Sequence, residues 1–145
     1  MVSILVIDAQ GGGVGKQLVA GIRQSVPDAY IMAVGANTAA TAAMIRAGAD
    51  ISGTGENSVK AACRRADIIT GPVGILIADS MLGEITPDMA LAVAQSNAEQ
   101  VLIPFSHKGR KFVGMTDLPL GKLITEAVEE IRKLVERNKY GNDAL

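Results

Sequence analysis

A chain of 145 residues and 15.0 kDa with 48% apolar residues is one domain with ample material for a core, and no apolar run reaches the roughly 18 residues of a membrane span. Fourteen basic against fifteen acidic residues give a net charge of −1, which excludes the basic face a nucleic-acid partner requires. One cysteine (Cys63) and one histidine (His107) exclude an internal disulfide and the multi-cysteine or multi-histidine metal patterns, and with no basic n-region or cleavage site at the start the expected compartment is the cytoplasm.

Short β-branched runs alternate with helical patterns, the order of an α/β domain. Residues 2–7 (Val-Ser-Ile-Leu-Val-Ile) predict a buried strand. Val14, Leu18, Ile22 and Val26 predict a helix after it, stopped by Pro27. Residues 30–34 predict the second strand. Asn37 or Thr38 is placed to cap an alanine-rich helix that ends at Gly48. Residues 49–52 predict a short third strand, 56–65 a weak helix, and 67–70 the fourth strand. Thr86-Pro87-Asp88 combines a capping hydroxyl, a proline for the first turn and an acid for the dipole, so a helix is expected from there to about Asn97. Residues 101–103 predict the fifth strand and 111–114 an edge strand. Leu120, Leu123, Ile124, Ala127, Val128, Ile131, Leu134 and Val135 form one apolar stripe of a final helix. The expectation is a single three-layer Rossmann-like α/β domain over residues 1–137 with a mainly parallel sheet, and a frayed tail over 138–145.

The sharpest local feature is Asp8-Ala9-Gln10-Gly11-Gly12-Gly13-Val14-Gly15-Lys16, directly after the first strand and opening the first helix. A helix N-terminus exposes unpaired N–H groups and a positive dipole end, and glycines let an anion approach the backbone. A phosphate or diphosphate is the favoured ligand. The strict G-x-G-x-x-G spacing is missed, because Lys16 stands where its last glycine belongs. Gly13-Val14-Gly15-Lys16 resembles the G-I-G-R step of short-chain dehydrogenases, but their Tyr-x-x-x-Lys pair is absent: Tyr30 is followed four residues on by Val34, Tyr140 by Ala144. Gly12-Gly13-Val14-Gly15-Lys16 resembles a deviant P-loop, but Gln17 stands where a Mg²⁺-holding hydroxyl is needed. The plainest alternative is a tight strand-to-helix turn with no ligand. Asp8 could bond ribose hydroxyls, hold a cation or cap the loop; because a bare carboxylate repels phosphate, pinning the loop is preferred.

Other polar groups fall where parallel strands would end, along the edge at which such sheets bind ligands. Asn37 and Thr38 could bond a ribose, though a helix cap explains them more simply. Neither the acid of an NAD site nor the arginine of an NADP site follows the second strand. Gly71 and Pro72 could face a base or sugar, or form a bend. Asp79, Glu84 and His107 are the acid–base candidates, with a structural network preferred for Asp79 and Glu84.

Asp8-Ala9-Gln10-Gly11-Gly12-Gly13-Val14-Gly15-Lys16-Gln17-Leu18, the run Gly71-Pro72-Val73-Gly74-Ile75, and Ala78-Asp79-Ser80-Met81-Leu82-Gly83-Glu84-Ile85-Thr86-Pro87 together resemble a bacterial, largely clostridial family of uncharacterised proteins. The resemblance extends to Val135, with Ala9 in place of a glycine. It implies a fold and a candidate site and no activity.

The expected function is binding of a small phosphate-bearing ligand, NAD(P) or an adenine nucleotide, through Asp8, Gln10, Gly11, Gly12, Gly13, Val14, Gly15, Lys16, Asn37, Thr38, Gly71 and Pro72, with no metal, nucleic-acid or membrane partner. An enzyme of unidentified chemistry and a scaffold with a vestigial loop are the alternatives. A homodimer is expected, because Met81, Leu82, Ile85 and Met89 cluster on one segment and Ala39, Ala40, Ala42, Ala43 and Ala47 leave a smooth helix.

Overall fold

Five parallel strands form one sheet: β1 (Ser3–Asp8), β2 (Tyr30–Gly35), β3 (Ile51–Thr54), β4 (Ile68–Pro72) and β5 (Glu99–Ile103), in the order β3-β2-β1-β4-β5. The computed structural model describes residues 1–10, 13–104 and 109–140. The helices are α1 (Gly13–Ser25), α2 (Thr38–Ala47), α3 (Glu56–Cys63), α4 (Pro87–Ala94) and α5 (Leu120–Tyr140), with a 3-10 turn at Val73–Leu76. This is the expected three-layer Rossmann-like domain.

The central strand dictates the two cores. Ile4 and Val6 of β1 point to one face and Leu5 and Ile7 to the other, and all four are at most 1% exposed. On the first face they meet Leu18, Val19 and Ile22 of α1, Met44 of α2, and Ile124, Val128, Ile131 and Val135 of α5. On the second they meet Val59 and Cys63 of α3, Ile75, Ile85, and Met89 and Val93 of α4. Each fully buried Leu, Ile or Val contributes about 1.5–3 kcal/mol, so a strand buried on both faces is the energetic axis of the domain. The apolar stripe expected on the last helix is the face α5 packs inward. Burial pushes the Cys63 thiol up to about 11, which leaves it an inert core group.

Several elements differ from the sequence expectation. The third strand starts two residues late, because the Asp50 carboxylate is drawn to the Ile31 amide (2.8 Å) and to Arg23 (2.6 Å). Gly71 and Pro72 are not a loop but the buried end of β4, in register with Leu102 and Ile103 of β5. Residues 111–114 are not an edge strand: with no neighbour offered to them they turn, Met115 N–H donating to the Phe112 carbonyl and Gly114 at φ 85°. The final helix runs to Tyr140, beyond the expected start of a tail at 138; residues 141–145 lie outside the described residues. Ile85 and Met89, expected at a partner surface, are core at 0% and 2% exposure, as are Ala40 and Ala43; of that apolar cluster Leu82 alone is fully exposed. The 3-10 turn and the connection after it fold Ile85 and Met89 under the second sheet face.

Candidate functional site

In a parallel sheet all C-terminal strand ends share one edge. The chain leaves β1 through α1 on one face and leaves β4 toward α4 on the other, so the order of strands reverses between β1 and β4. Open α/β sheets bind ligands over that switch.

Asp8 ends β1 at 4% exposure. Its Oδ1 accepts from the Ala9 amide at 2.8 Å and its Oδ2 from the Gly15 amide at 2.6 Å. The carboxylate thus closes the turn from beneath and satisfies one orphan N–H in the first turn of α1, which is the pinning role. A Cβ on Gly15 would lie 2.7 Å from both Asp8 Cβ and Met44 Sδ, so this glycine serves packing, not a ligand. Burial raises the Asp8 pKa above its ordinary 3.8; the Gly15 and Ala9 amides oppose that, and the Glu84 charge adds to it.

Gly13 and Val14 behave differently. They are the first two residues of α1, and their N–H groups have no partner among the described residues. A Cβ on Gly13 would meet nothing within 4 Å. Lys16 is exposed beside them. Among the described residues the first turn of α1 therefore offers two donors without a partner, the positive dipole end and one exposed cation. Gln17 turns back, its Nε2 donating to the Gly13 carbonyl at 3.2 Å.

Three turns are tied together around this opening. Gln10 sits at φ 52°, a left-handed conformation that costs a non-glycine residue about 1 kcal/mol. Its N–H donates to Glu84 Oε2 (2.9 Å), and its carbonyl accepts from Asn37 Nδ2 (2.9 Å). Asn37 Nδ2 also donates to Glu84 Oε1 (2.5 Å), while Asn37 Oδ1 accepts from the Ala40 amide (2.9 Å) as the N-cap of α2. The Asn37 amide is thus committed to the helix cap and the turns, and Thr38 is an exposed first residue of α2. Glu84 is likewise a structural acceptor, the network the sequence pointed to.

The strand-end glycine has its own task. Gly71 adopts φ 158°, and a Cβ there would lie 2.3 Å from the Ile7 carbonyl oxygen, so only glycine lets β4 approach β1 at the switch. Beyond β4, residues 79–83 turn sharply, with Asp79, Met81 and Leu82 all at φ between 56° and 63°. Asp79 is exposed with no side-chain hydrogen bond among the described residues. Gly11, Gly12 and His107 lie outside the described residues.

Two residues escaped the sequence reading. Thr41, 8% exposed, joins the Asn37 carbonyl (3.1 Å), the Gly53 carbonyl (3.1 Å) and Thr54 Oγ1 (2.8 Å), tying α2 to β3. Its position four residues after a cap was a visible hint; its partners in β3 were not. Thr70 of β4 is fully buried, and its Oγ1 has no hydrogen-bond partner among the described residues.

A groove of about 560 Å³ lies far from this edge, between α3 and α4, and Lys60, Arg64 and Asp88 line it. Among the described residues no helix is long and apolar enough to cross a membrane.

No curated protein matches the chain. A solved structure, the dodecameric FMN-dependent Ubix-like decarboxylase from Escherichia coli O157:H7, is 17% identical over 88% of this chain and 75% of that chain, with a TM-score of 0.41. A family model matches residues 3–136, which span every strand and all but the end of α5. On that match the chain belongs to the family described as Domain of unknown function (DUF3842).

Proposed function

We propose that this protein binds a small phosphate-bearing ligand, a nucleotide such as NAD(P) or an adenine nucleotide, over the β1–β4 switch. The observation that carries this reading is the first turn of α1, where the Gly13 and Val14 N–H groups have no partner among the described residues and a Cβ on Gly13 would meet nothing within 4 Å. Lys16 supplies the charge, as a point cation for a phosphate oxygen. In the sequence Gly11 and Gly12 directly precede Gly13. Asp8, Gln10, Asn37 and Glu84 hold its base in place, and Asp8 opposes an anion that comes close. In this reading the protein works as a homo-oligomer in the cytoplasm.

One observation favours the second reading, a scaffold whose loop takes no ligand: Asp8 already satisfies Gly15 and places negative charge under the helix end. Calorimetry with NAD, NADP, ATP, ADP, AMP and coenzyme A separates the two. Binding by one of them, weakened at least about tenfold in Gly13→Val with the circular dichroism unchanged, is the expected result. Silence across the panel at millimolar ligand, or equal affinity in Gly13→Val, overturns the phosphate reading.

A further inference from the structure

Strand β5 is one margin of the sheet: among the described residues it pairs with β4 on one side and with nothing on the other. An unpaired strand edge is a template for another strand, and proteins blunt or cover such edges. Here the edge strand has five residues and one exposed charge, Glu99, at its start. Val101 and Leu102 are only half-buried, and a groove of about 510 Å³ runs between β5 and α5. Its floor includes Val101, Ile103 and Leu123, and its rim carries Glu126, Glu129, Glu130 and Lys133. Glu129 and Glu130 are paired within α5, to Arg132 and Lys133. Glu126 is exposed and forms no ion pair among the described residues. The groove wants an extended segment that is apolar on one side and basic at its border.

The chain carries such a segment. Arg110, Lys111, Phe112 and Val113 are all exposed; Val113 is 102% exposed and Phe112 37%. The sequence reads 111–114 as a strand, yet among the described residues Lys111, Phe112 and Val113 lie in no strand and turn instead, after an isolated bridge at Arg110. Neither Arg110 nor Lys111 has an ion-pair partner among the described residues. Among the described residues, the open edge of β5 beside Glu126 and the exposed Lys111–Val113 segment are complementary in charge and in polarity.

We infer that the Lys111–Val113 segment of a second copy docks along β5 and into the β5–α5 groove, with Lys111 facing Glu126. A two-fold axis makes the exchange reciprocal, so each copy covers the other's open edge and the assembly closes as a dimer. This rests on the homo-oligomer reading, and the test tells the two apart.

The experiment is light scattering coupled to gel filtration at micromolar protein. The wild type is expected near about 30 kDa, twice the 15.0 kDa of one chain. Val113→Asp and Glu126→Lys are each expected to shift the mass to that of one chain, and Lys111→Glu combined with Glu126→Lys to restore the dimer. Both sites are exposed, so the variants keep the fold, which circular dichroism checks. A wild-type mass near one chain removes the homo-oligomer reading and this interface with it. An oligomer untouched by Val113→Asp and Glu126→Lys keeps the oligomer and rejects the interface.

Discussion

Asn37 donates from Nδ2 to Glu84 Oε1 across 47 positions of sequence, and both side chains then hold the backbone of Gln10. Three turns from separate parts of the chain are thereby one unit at the mouth of the sheet. Removing Glu84 leaves the Gln10 amide and the Asn37 amide without their acceptor, and leaves a left-handed non-glycine residue unsupported. Glu84→Ala is expected to lower unfolding free energy by about 1–3 kcal/mol in urea titrations. Wild-type stability would show that the three turns hold without this link.

Asp8 gives the stability a pH dependence of known sign. Its folded pKa is raised above the unfolded 3.8, chiefly by burial, so the native state holds this proton more tightly than the unfolded chain. Asp8 therefore contributes most when protonated, and its contribution falls as pH rises from 3.8 to its higher folded value, then stays level. The stability of wild type minus that of Asp8→Asn should decline across this window in denaturant titrations at successive pH values. A difference that rises with pH there means the Gly15 and Ala9 amides outweigh burial.

The two glycines of the first helical turn should part company. Gly15→Ala drives a methyl to 2.7 Å from Asp8 Cβ and Met44 Sδ, and is expected to cost about 1–3 kcal/mol. Gly13→Ala meets open space and is expected to be neutral or to stabilise by up to about 1 kcal/mol. Thermal melts of both variants compare them directly; equal losses would mean that the first turn is packed as tightly at its outer face as beneath.

Thr70 holds a buried hydroxyl with no partner among the described residues. Valine has its shape without the polar group, so Thr70→Val is expected to raise stability by about 1 kcal/mol and to raise Tm. A destabilised Thr70→Val would show that the hydroxyl has a bound water as its partner.

The sequence made the local devices readable. The α5 stripe repeats over four turns, and Asn37 lies three residues from the amide it caps, so short-range periodicity was enough for both. What stayed hidden is long-range. Asp50 leaves β3 for Arg23 and the Ile31 amide. Pro72 stays in a strand because Ile103 lies beside it. Glu84 reaches Gln10 across 74 positions. Residues 111–114 carry two apolar side chains that suggest a strand, but a strand needs a neighbour, and among the described residues they have none. At the site, the glycines could be found by pattern; that Gly15 is filled from beneath while Gly13 is open depends on Asp8 and Met44 and was not legible.

An all-parallel sheet whose first strand lies at its centre also constrains how the protein is made. A growing chain can pair β1 with β2 once residues 30–35 have emerged, but the other side of β1 has no partner until β4, from residue 68. Until then a strand buried on both faces in the finished molecule has an unpaired edge in the nascent one, and half the sheet must wait without closing. Synthesis at about 5–20 residues per second makes that an interval of seconds. Early contacts of α1 with β1 and β2 are the shield available in that interval, so slowing translation between residues 35 and 68 lengthens the exposure of an apolar edge to other nascent chains.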